Sequence, residues 1–384
     1  MLQHSGLKKK LTAIVIFIYL MAFQNEAGAA ARPGCGDKPP AVTAEAAVLM
    51  DDVTGQLLYE KNGRKKRPPA STTKIMTALL AVEGGDLRQY VTISQNASSV
   101  GEASIELRSG EKLTLEDLVY GAMLQSGNDA CVAIAEHIAG TEQNFVLLMN
   151  QKAKMLGAVD TSFKNTNGLP QAGHYTTAAD LAVITRYALR NQSLKKIVGT
   201  KGKSIGTQGE RYLNNTNRLL WSYEWADGVK TGTTSEAGNC LVASATKEGR
   251  RLISVVLNSE DRWSDSIKLL NYGFNNFECI KIVSEGEDLG RVKVEKGAVK
   301  EVKAVASADM YSVVHKERLQ SVERKVHLKR EVTAPVQKGQ QLGLIGVFVG
   351  GVPVGSVSIV ADRNINKKHI FQQFLNNLLE KQRN

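Results

Sequence analysis

Cysteine is scarce, with four in 384 residues. They are too few and too dispersed for a disulfide framework, and with no C-x-x-C and six scattered histidines they argue against a structural zinc site. The chain has no solenoid-type repeat and no series of apolar runs long enough to span a bilayer, which excludes a repeat architecture and a polytopic membrane protein. A content of 42% hydrophobic and 23% charged residues also lies outside the range of disordered or collagen-like chains. What remains is a globular balance, and the length suits two domains plus small appendages. Cys131 lies in an apolar helical stretch and Cys240 in an apolar strand-like one, so both are expected to be buried free thiols.

The one pronounced excess is of positive charge, +11 overall. Its placement decides its meaning. Lys8, Lys9 and Lys10 precede an apolar run from Leu11 to Phe23, and Ala27-Gly28-Ala29-Ala30-Ala31 follows. A basic flank, a run too short to cross a bilayer and an A-x-A site form a secretory signal peptide, cut near Ala29 or Ala31, which leaves a mature charge of +9. Arg32-Pro33-Gly34 before Cys35 is not the small apolar stretch of a lipoprotein signal. Residues 32–280 then carry a net +2, while 281–384 carry +7. Export removes most of the case for nucleic-acid binding, and no nucleic-acid partner is expected.

The pattern changes where the charge does. Helical segments at Thr72 to Glu83, Leu115 to Gly140 and Thr176 to Arg190 alternate with strands at Ala46 to Asp51, Cys240 to Thr246 and Leu252 to Leu257. Beyond residue 280 come short alternating runs such as Lys325-Val326-His327-Leu328 and Val352 to Val360, with Gly350-Gly351 and Pro353 between them. An α/β domain followed by a small all-β domain is expected. At the end, Ile370, Phe371, Phe374, Leu375, Leu378 and Leu379 fall on one helical face, flanked by Lys367, Lys368, Lys381 and Arg383. A basic amphipathic helix behind a complete domain suits the plane of a membrane; the alternative is a helix docked on its own protein.

Three short motifs carry the chemistry. Ser71-Thr72-Thr73-Lys74 is an S-x-x-K, introduced by Arg67-Pro68-Pro69-Ala70 and continued by an apolar helix. A serine in the first turn has its own backbone N–H free, and Lys74 projects from the same face one turn later. A buried lysine beside another cation has a depressed pKa and can take the serine proton. Ser126-Gly127-Asn128 opens or interrupts the helix that continues from Asp129, and Lys230-Thr231-Gly232 precedes the apolar strand at Cys240. Each triplet alone is weak evidence, but the order S-x-x-K, S-x-N, K-T-G in these settings is strong.

In these motifs, and in Asn165-Thr166-Asn167-Gly168-Leu169, Asp227-Gly228-Val229-Lys230-Thr231-Gly232 and Leu269-Leu270-Asn271-Tyr272-Gly273-Phe274, the sequence resembles the penicillin-recognising serine enzymes. Within them it is similar to the low-molecular-mass D-alanyl-D-alanine carboxypeptidases. The resemblance implies a penicillin-binding-protein/β-lactamase-like α/β catalytic domain, an antiparallel sheet flanked by helices, over residues 32–280. It further implies an all-β domain over 281–362 and an amphipathic membrane-associating helix over 363–384, behind a leader at 1–31. The activity implied is removal of the last D-alanine from peptidoglycan stem peptides ending in D-Ala-D-Ala, outside the cytoplasmic membrane, with acylation by β-lactams. Ser71 would be the nucleophile, Lys74 its base and Ser126 a proton relay to the leaving amine. Asn128 would position Lys74 or the substrate amide. Lys230, Thr231 and Arg262 would hold the terminal carboxylate, with Gly232 beside them in the same strand and the backbone N–H groups of Ser71 and Thr233 as the oxyanion site. Neither cofactor nor metal is called for.

The competing readings differ in named residues. A serine β-lactamase would place a glutamate to activate the deacylating water, and Glu210 in the nearby E-x-x-L-N stands only 20 residues before Lys230. A non-catalytic peptidoglycan-binding protein would lack nucleophile or base, and neither is missing. Gly202-Lys203-Ser204-Ile205-Gly206 fits G-x-S-x-G but lies in a polar, glycine-rich setting and is expected to be a turn. His137 and His174 are expected to be structural. For the terminal segment, a chain ending at Asp362 is expected to lose sedimentation with membranes; sedimentation as tight as that of the full chain would refute the membrane reading.

Overall fold

The computed structural model describes residues 38–206 and 208–368. The leader, and the terminal amphipathic segment from residue 369 onward, lie outside the described residues. Among the described residues no helix is long and apolar enough to cross a membrane. The chain divides into two compact units between Asn276 and Phe277.

In the first unit the strands β1 (Ala46–Asp51) and β2 (Leu57–Lys61) come first. A helical region follows: α1 (Lys74–Gly84), α2 (Gln95–Ser98), α3 (Leu115–Leu124), α4 (Asn128–Ala139), α5 (Glu142–Met155), α6 (Ala178–Ala188), α7 (Gln192–Gly199) and α8 (Leu219–Ser222). It carries two small hairpins, β3 (Tyr90–Thr92) with β4 (Lys112–Thr114), and β5 (Gly202–Ile205) with β6 (Arg211–Asn214). The chain then returns as β7 (Ala226–Thr234), β8 (Gly238–Lys247), β9 (Arg250–Ser259) and α9 (Arg262–Asn276). The principal sheet is antiparallel, in the order β2-β1-β9-β8-β7. Its central strands are buried on both faces, which is why β1, β8 and β9 read as continuous apolar runs without alternation.

Register places the chemistry within this frame. Val48 pairs with Val255, Val255 with Val242, and Val242 with Lys230. Residues paired across neighbouring strands point to the same face, so Lys230 extends a row of buried valines and is itself buried. α1 is apolar nearly all round, packs against α3 and α4, and is buried from Lys74 to Leu79. The helical stretch expected from Leu115 to Gly140 is broken at Gln125–Gly127, where Ser126 takes φ +67°. Gly202 to Gly206, expected as a turn, is instead mostly the strand β5; the turn comes after it, where Gly206 and Gly209 take φ of +94° and +71°.

Among the described residues the second unit is β apart from one short 3-10 segment. Its strands are β10 (Phe277–Val283), β11 (Asp288–Glu295), β12 (Glu301–Ala306), β13 (Met310–His315), β14 (Val322–Leu328), β15 (Glu331–Thr333), β16 (Gln341–Val349) and β17 (Val352–Ala361). β10 pairs with β13, and the others form a sheet in the order β14-β16-β17-β12-β11-β15, parallel only between β11 and β15. Val292, Val302, Leu342, Ile345, Val347 and Ile359 fill its core.

One carboxylate ties the ends of the first unit together. Asp265 accepts from the Thr43 N–H (3.0 Å), the Thr43 hydroxyl (2.7 Å), the Ala44 N–H (2.8 Å) and the Ser259 hydroxyl (2.7 Å). Burial alone would raise its pKa, but these hydrogen bonds hold it below the usual value. Asp265→Ala should cost about 3 kcal/mol in denaturant unfolding, since it strands several buried donors. The folded-state pKa being the lower one, the wild-type advantage is full above about pH 4 and should shrink as the pH falls further.

Candidate active site

Ala70–Thr73 forms one turn of 3-10 helix leading directly into α1. Ala70 takes φ +47°, and the Thr72 hydroxyl closes the turn on the Pro69 carbonyl at 2.6 Å. Ser71 therefore stands half-buried in the first turn, its N–H without an intrahelical acceptor. One turn on, Lys74 is wholly buried and its Nζ donates to Ser71 Oγ (3.0 Å), Asn128 Oδ1 (2.8 Å) and the Asn167 carbonyl (2.7 Å). The last two partners can only accept. A neutral Lys74 would keep both as donor contacts and turn its lone pair to the third, the Ser71 hydroxyl. Burial lowers the Lys74 pKa to about 8, against the opposing influence of Cys131, Asp129 and Glu102.

Strand β7 forms the opposite wall and, among the described residues, is an edge strand of its sheet. It approaches the Ser71 turn so closely that a Cβ on Gly232 would lie 2.9 Å from Ser71 N and 3.1 Å from both Thr72 N and Ala70 Cβ. Only glycine fits there without moving backbone. Lys230 donates to the Thr231 carbonyl at 3.0 Å, and its pKa is held well below the ordinary value, by burial first and then by the charge on Lys74. The Thr231 hydroxyl meets that of Thr216 at 2.7 Å. From the start of α9, Arg262 Nη1 donates to the Gly232 carbonyl (3.0 Å), Thr233 Oγ1 (2.8 Å) and the Cys240 carbonyl (3.3 Å), so its guanidinium braces the edge of β7 beside the exposed Thr233.

Asn128 begins α4, is buried, and reaches the loop before it by donating from Nδ2 to the Gly101 carbonyl at 3.0 Å. Ser126 is half-buried, and its hydroxyl has no hydrogen-bond partner among the described residues. Cys131, one turn into α4, is a buried thiol pushed up to about 12 by burial, although the charges of Lys74 and Lys230 act to lower it. Cys131, Cys240 and Cys279 are free. Glu210 sits at the tip of the β5–β6 hairpin with its carboxylate on the Gln208 N–H at 3.0 Å.

Several supports have no motif of their own. The Asn167 carbonyl is presented by a loop that Glu142 holds through both the N–H (3.0 Å) and the hydroxyl (2.7 Å) of Thr166. Thr77 donates to the Thr166 carbonyl at 2.6 Å, and Gly168, at φ +92°, lies against the Ala70 carbonyl where a Cβ would be 1.9 Å away. His174 Nε2 bonds the Thr73 hydroxyl at 2.9 Å. Asn167 and Thr166 occur within a segment that carried the family resemblance, but nothing in it announced a backbone contact to Lys74. Thr216 gave no signal. Among the described residues no group of three or more His, Cys, Asp or Glu side chains could hold a metal ion.

Comparison with known proteins assigns both units. Residues 34–261 match the family model described as D-alanyl-D-alanine carboxypeptidase, peptidase S11, and residues 277–367 match that described as penicillin-binding protein 5, C-terminal domain. The chain is 37% identical over 372 residues to the D-alanyl-D-alanine carboxypeptidase DacF of Bacillus subtilis, covering 94% of this chain and 95% of that one. It is 34% identical over 387 residues to DacC of Escherichia coli, covering 97% and 95%. The solved structure of penicillin binding protein 5 from Haemophilus influenzae superposes with a TM-score of 0.78 at 33% identity, over 86% of this chain and all of that one. With the Ser71–Lys74 geometry, the helix-flanked antiparallel sheet and the β-rich second unit on the page, the chain belongs to the S11 family of serine peptidases, the D-alanyl-D-alanine carboxypeptidases.

Proposed function

We propose that the first unit removes the terminal D-alanine from peptidoglycan stem peptides ending in D-Ala-D-Ala, through an acyl-enzyme on Ser71. The observation that carries this is the Lys74 amine, 3.0 Å from Ser71 Oγ and held otherwise by two acceptor-only partners. Ser71 Oγ attacks the carbonyl between the two D-alanines while its proton passes to Lys74 Nζ. The backbone N–H groups of Ser71 and Thr233 hold the oxyanion. Collapse breaks the C–N bond, Ser126 hands a proton to the departing amine, and free D-alanine leaves. Water then attacks the ester, releasing the shortened peptide as its carboxylate and returning the proton to Ser71.

The carboxylate of the leaving D-alanine suits Lys230, the Thr231 hydroxyl and the Arg262 guanidinium. It also resolves the pairing of two buried lysines. An anion beside Lys230 favours charge there, so the proton that the pair sheds comes from Lys74. An extended peptide can add to the edge of β7. β-Lactams enter the same cleft and acylate Ser71, and their release is slow. Export through the leader, work on the outer side of the cytoplasmic membrane, and attachment through the terminal helix complete the reading, with the second unit as a spacer.

Three outcomes test it. Incubation with a pentapeptide ending in D-Ala-D-Ala should release D-alanine, and Ser71→Ala should lower kcat/KM by about a thousandfold or more. Labelled benzylpenicillin should give one slowly released adduct, on Ser71; rapid catalytic destruction of the drug would point to a β-lactamase. Because the base must be neutral and its pKa is about 8, the acylation rate at limiting substrate should rise with pH through about 8 and level off above it. A rate flat from pH 6 to 9 would remove Lys74 from the role.

A further inference from the structure

The segment from Gly101 to Leu107 is unusually tightly held for a loop. Asn128 takes it at two points, its N–H on the Ala103 carbonyl at 2.7 Å and its Nδ2 on the Gly101 carbonyl at 3.0 Å. The carboxylate of Asp129 receives the Ser104 hydroxyl (2.6 Å) and the N–H groups of Ile105 and Leu107 (both 3.1 Å). Two consecutive residues of the first turn of α4 thus fix the loop, and one of them also holds Lys74.

Between the two carbonyls gripped by Asn128 stands Glu102. It takes φ +64°, a conformation that costs a side-chain-bearing residue of order 1 kcal/mol and that glycine would adopt freely. It is exposed, and among the described residues its carboxylate has neither hydrogen bond nor ion pair. Its charge nevertheless reaches Lys74. There it favours the protonated amine, which opposes the base role, so the carboxylate is not there to help Lys74 lose its proton. A strained, unpaired anion between two carbonyls held by Asn128, itself a partner of Lys74, is suited to meet a cation that arrives with the substrate.

We propose that Glu102 is a specificity-determining residue that pairs with an ammonium group on the side chain of the residue preceding D-Ala-D-Ala in the stem peptide. This rests on the reaction proposed above. In this reading a peptide laid along β7 with its scissile carbonyl at Ser71 brings the side chain just upstream of the two D-alanines toward the segment that Asn128 holds. Stem peptides bearing a free amine at that residue are then taken in preference to those in which it is blocked.

The test compares kcat/KM for release of D-alanine from Nα-acetyl-L-Lys-D-Ala-D-Ala and from the same peptide acetylated at Nε also. The full chain should prefer the free amine, and the preference should shrink as salt is added. Glu102→Gln should reduce the ratio by about fivefold, the upper range for a solvent-reached ion pair, mainly through KM, and Glu102→Lys should reduce it further. Any change that either variant makes in Lys74 acts on both peptides and cancels in the ratio. Glu236→Gln, which alters another exposed carboxylate just past the K-T-G strand, should leave the ratio as it is. An absent preference in the wild type, a ratio unmoved by both Glu102 variants, or a ratio abolished by Glu236→Gln would each overturn the assignment while leaving the carboxypeptidase reading intact. Release of D-alanine from neither peptide would instead overturn the reaction itself, and this inference with it.

Discussion

One buried amine draws together three segments of the first unit. An ammonium taken out of water is costly unless its three donors are met, and Lys74 meets them with a side-chain amide, a backbone carbonyl and the Ser71 hydroxyl. Those partners come from three separate parts of the chain: the turn before α1, the start of α4 and the loop at Asn167. Each is itself held by further bonds, so the amine is a point at which three segments are locked in register. The same enclosure depresses its pKa to about 8. Stability and reactivity therefore have a common source: the burial that demands full hydrogen bonding is also the burial that makes the proton easy to lose.

Close backbone approach is the second constraint. β7 lies against the Ser71 turn through Gly232, and the Asn167 loop lies against the Ala70 carbonyl through Gly168. A side chain at either position would force main chain apart by more than a rotamer change can absorb. The turn between them includes Ala70 at φ +47°, and Ser126 across the cleft takes φ +67°. Strain of this kind, gathered at the cleft and sustained by the surrounding packing, fits an arrangement in which the position of Ser71 matters more than local backbone comfort.

How much of this was legible depends on distance along the chain. The Ser71–Lys74 contact was readable because one helical turn fixes it locally, and the break at Ser126 because serine, glycine and asparagine together disfavour a continuing helix. The strands at Ala46 and Leu252 showed as apolar runs. The neighbourhood of Lys230 and Lys74 was not readable, since it depends on the register of β7 with β8 and on a turn 159 positions earlier. Asn167 contributes a carbonyl, an atom every residue has, and leaves no trace in composition. Thr216 is one threonine in a polar stretch, and the Asp265 latch joins residues 222 apart. Of the two causes expected for the Lys74 shift, burial and a neighbouring cation, burial is the one that lowers it. The β5 hairpin was missed because its glycines and polar residues look like a turn when no partner strand is in view.

The imidazole beside the site bears on why the proposed reaction gives the proton to lysine and not to histidine. His174 Nδ1 accepts from the Lys164 N–H at 3.1 Å, which puts its single hydrogen on Nε2, facing the Thr73 hydroxyl. Burial, aided by the charge of Lys164, lowers its pKa to about 4. A base that weak is neutral across the working range, and both nitrogens are already committed. It acts as a strut that holds Thr73, the residue before Lys74, against the loop that presents Asn167. Two titratable side chains close to the same turn are thus driven by burial in the same direction, but from different starting values. Lysine, starting near 10.5, arrives at about 8, where it can both hold and release a proton near neutrality; histidine, starting near 6.5, arrives where it can do neither.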